Sequence, residues 1–253
     1  KKGNKELIGE SASSAEIDVL YRSFNELMQK LKQADLELAE AFEKEKEANL
    51  RALQAQINPH FIYNTLNSVS CMALLHQENE ISQVLGSLTK VIRYNLKKPD
   101  AIVHLEEELE NIYSWCRIQE CCYEQSIRFS YDIQVPADQI KIPKLIIQPL
   151  IENAVVHGAN FAGEDARICL HIWMEGKCLY IVVWDNGTDV DTDRINRLAC
   201  GKGEVCSDSL GVRNVYERIR LRYGSAGQMR FEQDEEHHTL VQIVIPAEMD
   251  QSL

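Results

Sequence analysis

The chain has 253 residues, 45% of them hydrophobic and 26% charged, enough for one large core or two modest ones beside an extended element. Its 39 acidic side chains outnumber 27 basic ones, giving a net charge of −12, which argues against a surface built to neutralise a nucleic-acid backbone. The longest apolar runs, such as "LYIVVW" at 179–184, fall far short of the ~20 residues of a membrane span, and nothing resembles a secretory leader. A soluble chain suited to the cytosol is expected, and the missing initiator Met makes a portion of a longer protein the expectation.

In chain order, "SSAE" at 13–16 is a capping-box pattern. Apolar residues then recur at Ile17, Leu20, Phe24, Leu27, Leu31, Ala34, Leu38 and Ala41, in steps of three and four, and continue through Ala48, Ala52 and Ala55. That heptad seam, with "EKEKE" outside it, predicts a helix paired with a partner chain, because so narrow a stripe has nothing else to bury against. Pro59 lacks the N–H that would bond the carbonyl of Ala55, so a kink is expected there, with His60 on it. Asn64 lies four residues on and Asn67 seven, placing amides on the imidazole's face. A second amphipathic helix runs through Ile81, Leu85, Leu88 and Ile92 and stops at "LKKP". Doubled by a partner, the two antiparallel helices would make a four-helix bundle.

A third helix is predicted over 105–123 ("LEEELENIYSWCRIQECCY"). From Ile127 the character changes: "IRFSYDI", "RICLHIWM", "CLYIVVW" and "TLVQIVI" read as strands, with Gly176-Lys177 as a turn between the second and third. Helices are predicted at "PKLIIQPLIENAVVHG" and "LGVRNVYERIRLRYG". The fold class is α+β, with no internal repeat. The cysteines at 71, 116, 121, 122, 169, 178, 200 and 206 show no metal-ligand spacing and read as reduced, mostly buried thiols. His237-His238, in the acidic turn "QDEEHHT", read as solvated rather than metal-ligating.

Three motifs in the second half carry chemistry. Glu152 and Asn153 precede His157 in "LIENAVVHG", with Asn153 and His157 one helical turn apart. Asp185 leaves a strand into the Gly turn "WDNGTDV", where a carboxylate can accept from an exocyclic amine while glycine lets backbone approach a ligand. Gly211 opens the helix "LGVRNV", whose free N–H groups attract anionic phosphates.

Read with "QINPHFIYNTLNS" and "IPKLIIQPLIENAVVHG", the chain over about 50–250 closely resembles the sensor histidine kinases of two-component systems, in the LytS/YesM-like branch with an N-P-H-F phosphoacceptor motif. "EIDVLYRSFNELMQKL" also resembles the second helix of a HAMP signalling module, which in this family follows a transmembrane helix. The resemblance implies three domains: a HAMP helix and signalling coiled coil over 1–50, dimerisation and phosphotransfer helices over 51–125, and an ATP-binding α/β sandwich of GHKL ATPase type over 126–253. It implies that His60 accepts phosphate, that Asn153 holds Mg²⁺ with the phosphates of ATP, that Asp185 recognises adenine, and that His157, Gly187, Gly211 and Asn214 line the nucleotide pocket. Phosphoryl transfer needs chiefly positioning and charge neutralisation, which Mg²⁺ and helix-terminal N–H groups supply. An imidazole of ordinary pKa is mostly neutral at pH 7 and offers a lone pair. The common kinase branch has an acid after the histidine, whereas here the residue is Phe61; Asn64 is kept as orienter, and Glu152 is the candidate base.

The sequence departs from the family pattern at Val156, where a lysine is usual, at Asp189, where a second glycine is usual, at "SDSLG", which retains only Gly211, and at Cys122, where an arginine is usual. Two functional readings follow. One is the cytosolic portion of a membrane receptor, a homodimer that labels His60 from ATP and passes phosphate to the receiver domain of a response regulator, with activity weakened by these departures and no direct contact with nucleic acid. The other is a non-catalytic dimeric signalling scaffold with a degenerate nucleotide site.

Overall fold

The computed structural model describes residues 59–96, 98, 101–123, 127–158, 166–187, 192, 196, 210–236 and 238–249, together with the exposed helical positions Met28, Lys30, Lys32 and Gln33. The chain divides into two compact units, 1–58 and 59–253. The expected coiled-coil seam, the HAMP-like helix and the kink before Pro59 lie outside the described residues, those four positions apart.

The second unit begins with a helical hairpin, α1 (Pro59–Leu75) and α2 (Asn79–Asn95). Gln77 turns the corner at φ 61°, donating its N–H to the Leu74 carbonyl at 3.0 Å while Glu78 donates to that of Ala73 at 2.9 Å. These bonds form a Schellman ending with glutamine where glycine is preferred, so the left-handed position carries some strain. The helices are antiparallel and in register: Ser70 and Ser82 hydroxyls meet at 2.8 Å, and Arg93 near the end of α2 lies 5.6 Å from the centre of the Tyr63 ring near the start of α1. Phe61, Met72, Leu75 and Ile81 remain at least half exposed on the hairpin.

Strand β1 (Ile102–His104) leads directly into α3 (Leu105–Cys122). Leu105, Leu109, Ile112 and Cys116 recur at helical spacing and are buried, which seats α3 against α2 on one side and against β1, β2 and β3 on the other. Strands β2 (Ile127–Ile133), β4 (Ala166–Glu175), β5 (Cys178–Asp185), β6 (Gln228–Gln233) and β7 (Thr239–Pro246) form a sheet in the order β2-β4-β5-β7-β6, with only β2 and β4 parallel. A second, three-stranded sheet joins β1 and β8 (Glu248–Met249) to opposite edges of β3 (Ile140–Pro143). Helices α4 (Gln148–Gly158) and α5 (Leu210–Tyr223) pack on the larger sheet and on each other. The alternation in β7, where Thr239, Val241, Ile243 and Ile245 are buried and their neighbours are not fully so, shows one inward row per strand. Leu150, Ile151, Ala154 and Val155 of α4 and Val212, Val215 and Ile219 of α5 close that core, each large side chain contributing about 1.5–3 kcal/mol by leaving water.

The α+β fold expected from the sequence is the fold observed. The strands read at 127–133, 178–184 and 239–245 agree to within a residue, as does the turn at Gly176, φ 61°. One boundary differs: the helix expected to open at Pro143 opens at Gln148, because 140–143 pairs with β1 and β8 and Leu145 sits at φ 59°. Strands β1, β3, β6 and β8 were not separable by pattern, being short or mostly polar. Of the described cysteines only Cys116 is buried; Cys71, Cys121 and Cys122 are exposed, contrary to the mostly buried thiols expected, since each lies on a helix face turned from the core. No disulfide joins them.

Candidate functional site

His60 lies in the first turn of α1 with its side chain exposed. The Asn64 amide nitrogen, one turn on, is 3.3 Å from both ring nitrogens, so a single donor serves whichever nitrogen carries the lone pair. Among the described residues the ring makes no other hydrogen bond or ion pair, and α1 packs on α2. Asn64 thus lies on the imidazole's face, as its spacing of four residues implies, but the imidazole is not brought to the motif residues of the second half.

Those residues lie mid-way along α4 (Glu152 and Asn153), at the end of β5 (Asp185) and in the first turn of α5 (Gly211). Asp185 is the last inward-facing residue of β5 after Leu179, Ile181 and Val183, and strand parity therefore buries its carboxylate to 6% exposure. Burial pushes this carboxyl up to about 7, against a Gly187 N–H donated at 2.9 Å and nearby His238, which both favour the charged form. The bond to Gly187 occupies Oδ1; Oδ2 accepts from no described group. Gly187 is itself fixed, its carbonyl accepting from the Thr239 hydroxyl at 3.4 Å. Asn186 clamps the strand end to β4, accepting from the Arg167 N–H at 2.7 Å and donating its own to the Arg167 carbonyl at 3.2 Å.

Glu152 and Asn153 are half-buried on α4, and Asn153 makes no hydrogen bond to another described residue. The side chain of His157 lies outside the described residues, as does Asp189. Gly211 opens α5 against α4, where a β-carbon would stand 3.6 Å from that of Pro149, an ordinary contact. Asn214 is exposed one turn further along α5. Val156 is 63% exposed, so the aliphatic side chain standing where lysine is usual faces solvent.

A second polar cluster was not read from the sequence. Glu108, fully buried on the apolar face of α3, accepts the Tyr94 hydroxyl of α2 and the backbone N–H groups of Leu145 at 2.8 Å, Ile147 at 3.2 Å and Gln148 at 3.5 Å. Burial raises its pKa while those donors oppose the shift; burial and then the Glu108 charge raise that of Tyr94, which stays the donor. Lys144, 1% exposed, reaches the Asn95 carbonyl at 3.4 Å and lies 4.9 Å from the centre of the Tyr94 ring, while its own carbonyl accepts from Arg218 of α5 at 2.6 Å. Asn111, also on α3, donates to the side chain of Gln148, which donates to Glu152 at 2.6 Å. One sequence feature pointed there: Glu108 falls on the 105–109–112–116 stripe, hidden among three consecutive glutamates that resemble a solvated first turn.

Away from this region, a cavity of about 780 Å³ opens between α2, α3 and β2 and is lined by Glu80, Gln83, Arg117, Glu120, Cys121 and Arg128 among others; it includes none of the motif residues. His238, read as solvated, is half-buried, with Nδ1 3.0 Å from Asp234 and its ring edge-on to Trp184. No group of three or more His, Cys, Asp or Glu side chains among the described residues could hold a metal ion.

Residues 48–127 match the family model described as histidine kinase, and this span holds α1 to α3 with His60 in its first described turn. The sensor histidine kinase YesM of Bacillus subtilis is 33% identical over 228 residues, covering 90% of this chain and 37% of its own length. The chain is a YesM/LytS-like sensor histidine kinase relative. YpdA of Escherichia coli, named a sensor histidine kinase, is 33% identical across 72% of this chain and 32% of its own length; the sensor protein LytS of Enterococcus faecalis is 28% identical across 81% and 35%. The chain thus spans about a third of the length of these relatives. No helix among the described residues is long and apolar enough to cross a membrane.

Proposed function

We propose that the chain is the cytosolic portion of a membrane-anchored sensor kinase that phosphorylates its own His60 from ATP and passes the phosphoryl group to an aspartate of a response-regulator receiver domain. The observation that carries this reading is the exposed His60 imidazole, held among the described residues by the Asn64 amide alone, in the same chain as a buried carboxylate, Asp185, with one oxygen that accepts from no described group beside a fixed Gly187. In the proposed step the ring nitrogen bearing the lone pair attacks the γ-phosphorus; an N–P bond forms as the bond to the ADP oxygen breaks. The proton on the other ring nitrogen passes to the Glu152 carboxylate.

A GHKL-type ATP site would place the adenine amine at Asp185 Oδ2, with the phosphates between the start of α5 and α4. Asn153 fits a Mg²⁺ ion because its half-buried amide has no hydrogen-bond partner among the described residues, and with phosphate oxygens and water it would supply the oxygen ligands that this ion prefers. The ion would neutralise phosphate charge. Because α1 packs on α2, His60 must approach α4 by relative motion of the hairpin and the sandwich, or from a second copy. Phe61, Met72, Leu75 and Ile81, left exposed along the hairpin, support a homodimer through a four-helix bundle. The test is incubation with γ-labelled ATP and Mg²⁺: acid-labile, base-stable label on the chain is expected, and its absence together with no ATP binding at millimolar concentration favours the scaffold.

A further inference from the structure

Glu152 is not free to choose its rotamer. Its Oε1 accepts the Gln148 side-chain amide at 2.6 Å, and the Gln148 carbonyl oxygen accepts the Asn111 amide of α3. Both amide residues are 3% exposed, so water does not compete for them. The polarity of the chain is fixed by chemistry. If Gln148 were turned over, its carbonyl oxygen would face a carboxylate, and its amide would face the Asn111 amide. Only the order Asn111 N–H to Gln148 oxygen, Gln148 N–H to Glu152 oxygen, gives both the Gln148 oxygen and the carboxylate a donor, with Asn111 Oδ1 left buried and without a partner among the described residues. The backbone of Gln148 is held independently, its N–H donating to Glu108 at 3.5 Å, so the residue is anchored at both ends. One Glu152 oxygen is therefore committed to the protein, and the other, which accepts from no described group, is left to an incoming proton donor. Asn111 itself lines a cavity of about 200 Å³ with Lys90, Arg93 and Tyr94 of α2, which places the far end of the chain against the hairpin that carries the phosphoacceptor.

We propose that Asn111 and Gln148 are positioning residues for phosphorylation of His60: they orient the Glu152 carboxylate to take the imidazole proton, and they do so from α3, so that the packing of α2 on α3 bears on the competence of the base. The inference rests on Glu152 as base. A surface carboxylate samples several rotamers, and a base held within reach of its proton gains about tenfold or more over one that is not.

The test is the kinetics of His60 labelling in the full chain. Gln148→Met keeps the volume and removes both side-chain bonds; Asn111→Leu removes the first donor and serves if the other variant unfolds. Each is expected to lower kcat by about tenfold with KM for ATP within about twofold, and neither is expected to lower it further in a Glu152→Gln background, because the base they orient is gone. Loss that multiplies in that background, or a KM for ATP that rises with the fall in kcat, would show a merely structural role and overturn the inference. Normal rates in Gln148→Met and Asn111→Leu while Glu152→Gln is impaired would also overturn it, leaving Glu152 as base. Full activity in Glu152→Gln would instead remove the base reading on which it rests.

Discussion

The two polar regions of this molecule are built to opposite rules. Around Glu108 a carboxylate with no access to water collects four donors, from α2 and from the turn before α4, and no donor or acceptor of that carboxylate is left for a ligand. At the motif residues the reverse holds: His60 has one weak partner, Asn153 none among the described residues, and Asp185 keeps one oxygen open although it is 6% exposed. A saturated buried cluster fixes geometry, while an unsaturated one holds unspent hydrogen-bonding capacity that a ligand can use. The clusters are joined through α4, whose first turn is held by Glu108 and whose second carries Glu152 and Asn153.

If that contrast is right, Glu108→Leu should destabilise the 59–253 unit by about 3–5 kcal/mol, since three amides and a phenol lose their acceptor in the interior. Chemical unfolding measures it, and a loss under 1 kcal/mol would show that the turn before α4 stands without the carboxylate. Tyr94→Phe, which removes a single donor, should cost about 1–2 kcal/mol.

Asp185 breaks the symmetry, being both buried and unsaturated, and so should lower stability in return for binding. Its folded pKa of about 7 stands above its unfolded value, so the protonated form is the favoured one in the fold; no penalty exists below about pH 4, and it accrues as pH rises toward 7 and stays constant above. Asp185→Asn should therefore stabilise the nucleotide-free chain at pH 8 by roughly 2–4 kcal/mol, with little gain at pH 4, while weakening ATP binding. Melting curves at the two pH values decide it: equal gains at both would mean that the carboxyl titrates normally.

Smaller effects are expected where the site meets solvent. Val156→Lys combined with Asp189→Gly should tighten ATP about tenfold, or ~1.4 kcal/mol, by adding a cation near Asn153 in sequence and removing a carboxylate four residues after Asp185. Because Val156 is 63% exposed, the new lysine stays hydrated and should not cost stability. Unchanged affinity by calorimetry would place both positions outside the reach of the phosphates. Gly211→Ala should change stability by less than about 1 kcal/mol, since the added carbon meets only Pro149 at 3.6 Å. A large loss would mean that this helix start adopts another arrangement.

Sequence exposed the motif residues more readily than it exposed what holds them. His60 and Asp185 stand in short motifs whose side-chain types declare their chemistry, and the strands around them carry β-branched alternation. Glu108 and Lys144 declare nothing, because each lies in a charged-looking stretch and is buried only once β1 and β3 pair and bring α3 against the turn at 144–147. The start of α4 was misplaced for the same reason: the segment before Gln148 reads as amphipathic helix, and only the pairing of β3 with two strands and the capture of its amides by Glu108 make it a strand and a turn. Partners distant in sequence decide both cases.

The claim that His60 is the reactive group while the nucleotide binds elsewhere is tested most directly by His60→Gln, with ATP binding by calorimetry and stable labelling followed on the same preparations. His60 is exposed and bonded, among the described residues, only to Asn64, so the variant should fold, bind ATP with an affinity within about twofold of the parent, and carry no acid-labile label. Label persisting on the variant at the level of the parent would place the phosphoacceptor on another residue and contradict the account.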